Sequence, residues 1–224
     1  MSNLTLVIGN CNYSSWSLRP WIFLKHHSIE FKTTRISLFS DTMERDLAPY
    51  FSDNKVPLLL HDGLEVWDSL AILEYLAELF PDKGGWPDEK GARAVARAVS
   101  AEMHSSFSGL RNELPMNCRR RFPGFPPSAD ASRDIQRLLS VWRFCRQRFG
   151  QDGPWLFGKF TVADCMYAPV VMRLVSYGIE LDDVSRAYVD NLYNSPAAQA
   201  WIAVGKAEEE VIKEDEADWP SEPI

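Results

Sequence analysis

Two short segments carry residues suited to gripping a small charged peptide. They are Val56-Pro57, which opens the apolar run ending at His61, and Asp68-Ser69, which precedes Leu70, Leu73, Leu76, Ala77 and Phe80. The spacing of that apolar series predicts a helix with Asp68 or Ser69 at its N-cap, where unpaired amides and the positive end of the dipole await a carboxylate. Asp68 could meanwhile hold an ammonium, and an α-amino acid end group carries both charges. At Val56-Pro57, a proline in the first strand position costs the sheet little. A cis bond there would leave the Val56 N–H and C=O free to pair with another backbone in strand fashion.

Each signal alone is ordinary turn or cap chemistry. The stretch between them ties them together: Asp62-Gly63 is a two-residue hairpin signal, and Leu64 to Trp67 returns as a second strand. Strand, turn, strand and capped helix make a ββα unit in which the Val56-Pro57 turn and the helix N-terminus share one edge. The pair describes a receptor for a small peptide with a free amino acid end.

These elements sit inside a longer pattern. Residues 4 to 9 form a compact apolar strand running into the serine-rich loop 10 to 17. A helix is expected from Leu18 to His27, entered at Pro20 because proline is tolerated in a first turn. Residues 31 to 38 suggest a weaker strand, and 40 to 54 an irregular connector with a short helix. A Pro/Gly-rich linker at 81–87 then gives way to helical periodicity without strands. Ala92, Val95, Val99, Met103, Phe107, Leu110 and Leu114 predict one long helix, and Ile135, Leu138, Leu139, Trp142, Cys145 and Phe149 a second. Thr161 and Asp164 form a capping-box variant opening a helix that Pro169 should kink, and Ser195-Pro196 opens another. The expected organisation is an α/β domain over residues 1–80, the linker, an all-α domain of about five helices over 88–207, and an acidic tail at 208–224.

At 224 residues, with 46% hydrophobic and 25% charged, the chain has an ordinary globular composition and room for one large or two small domains. Its formal charge of −7 belongs to one end: residues 207–224 hold eight acids and one base, and the remainder balances at 23 of each. A neutral body gives no electrostatic case for nucleic-acid binding, and the tail reads as a solvated terminus. Cys11, Cys118, Cys145 and Cys165 lie far apart with no C-x-x-C pair, so reduced thiols are expected rather than a metal site or a disulfide framework. The N-terminus lacks the features of a signal peptide and no run approaches a membrane span, so a soluble cytoplasmic protein is expected.

The loop NYSSWSLRP, the strand NKVPLLL, the helix start WDSLAILEYL and the segment FTVADCMYAP, in this order and at these spacings, resemble the glutathione S-transferases, in particular the cytosolic serine-type enzymes of the bacterial theta and zeta kind. The likeness covers nearly the whole chain and fails only at the acidic tail. Asp68 stands where the family often has Glu, and is one methylene shorter. The resemblance implies a thioredoxin-like N-terminal domain, an all-α helical bundle, a homodimer, and a detoxifying activity that uses glutathione as co-substrate without a metal. The thiolate would attack a small hydrophobic electrophile or a peroxide. The resemblance places the γ-glutamyl group at Asp68 and Ser69, the cysteinyl backbone against Val56 beside Pro57, and the glycyl carboxylate near Lys55. Residue chemistry agrees: cap and carboxylate for an amino acid end, free backbone for an amide, a cation for a terminal carboxylate.

The thiol would then fall near the start of the first helix. A free thiol with pKa near 8.5 is mostly protonated at neutral pH, and lowering it by about two units takes roughly 2.7 kcal/mol. A hydroxyl donating to the anion supplies about 1.5–3 kcal/mol and a helix N-terminus about 0.3–1 more, so one serine suffices. By register with the family loop the active position is Ser14, with Ser15 and Ser17 as alternates and Tyr13 behind them; the competing role for these hydroxyls is to cap the helix. Cys11 mimics a monothiol redox motif, but the register puts it at the strand end, where a small buried thiol is common. Arg19 either orients the loop or is a surface charge. The electrophile is expected between the domains near Trp16, Met103, Phe107, Arg111 and Tyr167, although such a stripe is also what a core looks like. Arg119, Arg120 and Arg121 suggest a solvated helix end, and none of the four histidines has partners suggesting a base or metal ligand. Two rival functions are a glutathione-dependent isomerase like the maleylacetoacetate isomerases, from whose loop Ser14 and Trp16 depart, and a non-catalytic protein-interaction module of the same fold. Retained Lys55, Val56, Asp68 and Ser69 argue against the module.

Overall fold

The computed structural model describes residues 3–224. Strands β1 (Leu4–Ile8), β2 (Lys32–Arg35), β3 (Leu58–His61) and β4 (Leu64–Trp67) form a sheet in the order β2-β1-β3-β4. β1 and β2 run parallel across the helix α1 (Ser15–His26), whereas β3 is antiparallel to both β1 and β4. A short helix α2 (Met43–Leu47) lies in the connector and α3 (Ser69–Leu79) follows β4. Alternation along β1 divides its side chains: Leu4, Leu6 and Ile8 join the main core with α1 and α3, while Val7 packs with Ile36, Leu47 and Leu58 on the opposite face. The sheet is thioredoxin-like, as the resemblance implies.

The ββα unit forms as its local signals dictate. Asp62 and Gly63 both have positive φ, +48° and +86°, which suits a tight hairpin, and the Val56-Pro57 bond is cis. Helix α1 departs from expectation. It begins at Ser15, not Leu18, so Pro20 lies in its second turn and removes one intrahelical bond. Every residue from Ser17 to Leu24 is buried, and that packing outweighs propensity.

The second half consists of α4 (Lys90–Ser105), α5 (Ser108–Glu113), α6 (Ala129–Phe149), α7 (Val162–Ser176), α8 (Asp183–Tyr193) and α9 (Pro196–Ala207). The long helix expected across Ala92 to Leu114 is broken, because Ser106 is extended and Phe107 takes a left-handed φ of +65°. The apolar spacing runs through the break because both pieces bury their faces in the same core. Gly109 allows α5 to close on the first turn of α6, where a Cβ would lie 2.9 Å from the Asp130 carbonyl carbon. Helix α7 is the hub: 14 of its 15 residues are buried and it packs on α1, α3, α4 and α8. One apolar core therefore runs from Leu4 to Ile202 through both halves.

The acidic tail is not a solvated terminus. Residues Arg120–Arg121 form strand β5, which pairs antiparallel with β6 (Glu222–Pro223), so the arginine cluster is no helix end either. Arg120 Nε donates to Ser221 Oγ at 2.6 Å, Trp219 Nε1 donates to the Pro123 carbonyl at 3.0 Å, and Arg35 forks onto Glu210 at 2.9 and 2.8 Å. The charge run looked solvated because its partners lie far away in sequence. Among the described residues no helix is long and apolar enough to cross a membrane.

Candidate functional site

Register brings the two opening segments together. Leu58 pairs with Trp67, so Val56-Pro57 runs out opposite Asp68-Ser69. Lys55, Val56, Pro57, Trp67, Asp68 and Ser69 then line one cleft of about 520 Å³ with Trp16. A larger cavity of about 700 Å³ lies elsewhere, under the tail between Arg119, Lys206 and Ile224. Among the described residues, neither the amide nor the carbonyl of Val56 has a backbone partner. Lys55 is exposed and paired at 2.8 Å only with the equally exposed Asp53, a contact worth little and readily exchanged.

Asp68 is the cap and Ser69 the first helical residue. Asp68 Oδ1 accepts from the amides of Leu70 at 2.8 Å and Ala71 at 3.3 Å, from a backbone held at a φ of +71°. Its other oxygen, Oδ2, accepts from His104 Nε2 at 2.7 Å. Burial by itself raises this carboxyl, but the bonds from His104 and the two amides outweigh it and hold it below the usual aspartate range. His104 thus has the carboxylate partner that the sequence did not reveal: it reaches from the last turn of α4 and meets Trp16 edge to face at 5.4 Å. Nothing in the local pattern around His104 signals this. Ser69 is buried, and its Oγ accepts from Arg19 Nη1 at 3.2 Å, which leaves the serine proton for another acceptor.

The serine loop is built as a fastened turn. Ser14 is the N-cap of α1, but its side chain makes no capping bond and its Oγ donates to Ser17 Oγ at 2.8 Å. Ser17, fully buried, also accepts from the Gly9 amide at 3.1 Å and so pins the loop to β1. Ser15 is half-buried and its hydroxyl has no hydrogen bond among the described residues. Trp16 lies between two guanidiniums, with Arg19 4.1 Å and Arg111 5.0 Å from its ring centre. Arg19 is no surface charge: it is 2% exposed, and burial followed by the nearby Arg111 and Arg173 pushes it well below the ordinary arginine value.

Two neighbours point away from the cleft. The Tyr13 hydroxyl donates to the Glu216 carboxylate and accepts from Arg119 Nη2 at 2.7 Å, and burial with that carboxylate raises the phenol. Cys11 is 2% exposed, and burial together with the Glu208 carboxylate pushes its thiol far up, which opposes a redox role.

Of the residues expected around an electrophile, three belong to the core instead. Met103, Phe107 and Tyr167 are at most 4% exposed, and the Tyr167 hydroxyl is spent on the Val99 carbonyl at 3.1 Å. Their helical spacing reports burial. Trp16 lines the cleft, and half-buried Arg111 stands behind it, donating to the carbonyls of Met103 and His104. The helical half therefore presents His104 and Arg111 around Trp16, an aromatic and cationic surface. Among the described residues no group of His, Cys, Asp and Glu could hold a metal ion.

Both halves of the chain are similar to known proteins. The glutathione S-transferase N-terminal domain family matches residues 13–79, and the corresponding C-terminal domain family matches residues 128–203. A probable maleylacetoacetate isomerase of Caenorhabditis elegans is 27% identical over 168 residues, covering 75% of this chain and 77% of the worm protein. The maleylacetoacetate isomerase of Rattus norvegicus is 33% identical over 101 residues, covering 44% of this chain and 46% of the rat protein. Among solved structures, a Burkholderia glutathione transferase homolog with bound glutathione superposes with a TM-score of 0.68 at 24% identity, over 92% of this chain and all of that one.

Proposed function

We propose that this chain, which belongs to the glutathione S-transferase family, binds glutathione in the cleft between the Val56-Pro57 turn and the N-terminus of α3 and transfers its thiolate to an electrophile. The observation that carries this reading is the convergence in one cleft of a free strand-like backbone at Val56, a carboxylate at Asp68 and a hydroxyl at Ser69. In this reading Asp68 takes the γ-glutamyl ammonium, exchanging His104 for it. Ser69 takes the adjoining carboxylate through its hydroxyl and amide, because Asp68 already caps the Leu70 and Ala71 amides, with Arg19 behind Ser69. Val56 pairs with the cysteinyl backbone and Lys55 meets the glycyl end. Homodimeric assembly and cytoplasmic residence are part of the same proposal, carried by the family.

The thiolate is stabilised by Ser14 in the first instance, once its hydroxyl turns from Ser17 to the sulfur. Ser15 is a second possibility supported by its free, half-exposed hydroxyl, while Ser17 is occupied in holding Gly9. Ser14→Ala is expected to lower turnover of a chromogenic electrophile at neutral pH by about tenfold to a hundredfold, the worth of one hydrogen bond to a charged group. Equal rates in Ser14→Ala and wild type, with loss in Ser15→Ala, would move the role to Ser15. Cys11→Ala should keep turnover within about twofold, because a protonated buried thiol takes no part.

An isomerase reaction on an unsaturated acid is the second reading, supported by the likeness to maleylacetoacetate isomerases and by the cationic surface around Trp16. Here the thiolate would add to the double bond and leave again after rotation, so glutathione would act without being consumed. Turnover of a cis-unsaturated diacid with constant glutathione concentration would favour this reading over transfer.

A further inference from the structure

We infer that the acidic C-terminal segment is a strap that positions the serine loop, and that Glu208 and Glu216 are positioning residues for the glutathione thiolate; the inference rests on the glutathione reading above. The Glu208 carboxylate spans two consecutive loop amides, accepting from Cys11 at 2.8 Å and from Asn12 at 3.0 Å. Its side chain is only 8% exposed, so these are sheltered, charge-assisted bonds in a small backbone nest. Glu216 holds the next residue, accepting from the Tyr13 hydroxyl and from Asn117 Nδ2 at 3.2 Å. Arg119 locks strap and loop together: one guanidinium donates to the Glu208 carbonyl, to the Glu210 carbonyl at 2.8 Å and to the Tyr13 hydroxyl at 2.7 Å.

The close approach of strap and loop is built into α9. A Cβ on Gly205 would lie 3.1 Å from the Asn12 nitrogen and 3.2 Å from its Cα, tighter than most real contacts, and glycine there lets the end of α9 deliver Glu208 to the loop. The loop transmits what the strap imposes. Both Tyr13 and Ser14 amides bond to the Asn10 carbonyl, at 3.2 and 2.8 Å, so residues 10 to 14 form one turn and a shift at Cys11 or Asn12 carries to Ser14. A connecting loop of this kind is ordinarily among the more mobile parts of a fold, and a misplacement of about 1 Å is enough to lose a catalytic contact. By charge Glu208 opposes a nearby thiolate, an effect that Arg35, 3.9 Å from its Oε1, offsets in part but does not reverse, so its benefit must be geometric.

That conflict of sign gives the test. Glu208→Gln removes the charge but keeps one acceptor, whereas Glu208→Ala removes both. Three readouts apply to the full-length protein: hydrogen exchange of the 9–17 peptide, the thiolate absorbance of bound glutathione against pH, and kcat against KM. The strap predicts faster exchange in Glu208→Ala, an upward shift of the bound thiol's titration, and kcat lower by about threefold to tenfold with KM for glutathione within about twofold. Glu208→Gln should fall between Ala and wild type, and Glu216→Gln should act in the same direction. Equal Gln and Ala effects with increased kcat would show charge without positioning and overturn the inference, as would unchanged exchange and titration in both. If Glu208→Ala does not fold, the ordering of Glu208→Gln and Glu216→Gln against wild type decides. If wild type binds no glutathione by calorimetry, the functional reading fails, and with it the role toward the thiolate. The exchange data would still report whether a strap holds the loop.

Discussion

Asp68→Ala is expected to weaken glutathione binding by about tenfold to a hundredfold, the loss of one hydrogen-bonded contact to a charged group. The same change should cost about 1–2 kcal/mol of stability through the lost cap. Alanine is also worse than aspartate at a φ of +71°, which adds to that cost. Asp68→Asn separates the two effects. Its amide oxygen can still accept from Leu70 and Ala71 and its backbone tolerates positive φ, so stability should stay near wild type while binding falls because the ammonium has lost its counter-charge. His104→Ala is the opposing control. His104 donates to Oδ2 at 2.7 Å, so removing it should leave glutathione binding unchanged or tighter if the ammonium takes that oxygen. Calorimetry on the three variants beside wild type checks the set, and equal affinity in Asp68→Ala and wild type would remove Asp68 from the site.

How legible each part was depends on the range of the interaction that makes it. The Val56 to Ser69 unit was readable because strand, Asp-Gly turn, strand and cap are local signals, each satisfied by neighbours a few residues away. The strand pairing that joins this unit to β1 is not local, since β3 meets β1 across about fifty residues of chain, and it is visible only in the fold. By contrast, the break at Phe107 is invisible to periodicity, since α4 and α5 face the same core on either side of it. Met103, Phe107 and Tyr167 show the matching ambiguity, because a core stripe and a pocket wall draw on the same side chains at the same spacing. The start of α1 is hidden from the sequence for a different reason: a proline in the second turn argues against helix locally, and burial of Ser17 to Leu24 overrides it. Charge partners were the least readable. Nothing around Glu208, Glu216 or His104 indicates Cys11, Tyr13 or Asp68, because those pairings arise only when the two halves close on α7. The candidate ligand site was therefore legible where it is backbone and cap, and hidden where it is assembled from both halves.

Asp164→Ala is expected to destabilise the protein by about 3 kcal/mol at pH 7, from the buried donors it would leave unpaired. Asp164 occupies the third position of α7, is fully buried, and closes the capping box. Its Oδ2 accepts from the Thr161 amide at 2.8 Å and the Thr161 hydroxyl at 3.1 Å, and its Oδ1 from the Leu156 amide at 3.1 Å. Alanine would strand the two amides inside the protein, at the head of the helix on which α1, α3, α4 and α8 all rest. For a chain of this size a loss of about 3 kcal/mol corresponds to a Tm lower by roughly 6–12 °C. The pH dependence has a definite sign. Burial, opposed by the bonds from Leu156 and Thr161, pushes the carboxyl up to about 6, above its unfolded value near 3.9, so the native state holds this proton more tightly. Its contribution to stability is therefore full below about pH 4 and lost as pH rises through about 6. Because Asp164→Ala lacks that contribution, the stability gap between wild type and variant should be wider by roughly 1 kcal/mol at pH 5 than at pH 7. Urea midpoints at the two pH values, with unchanged slopes, measure it, and a gap that widens toward pH 7 would mean that the native carboxyl is held as the anion at the head of α7.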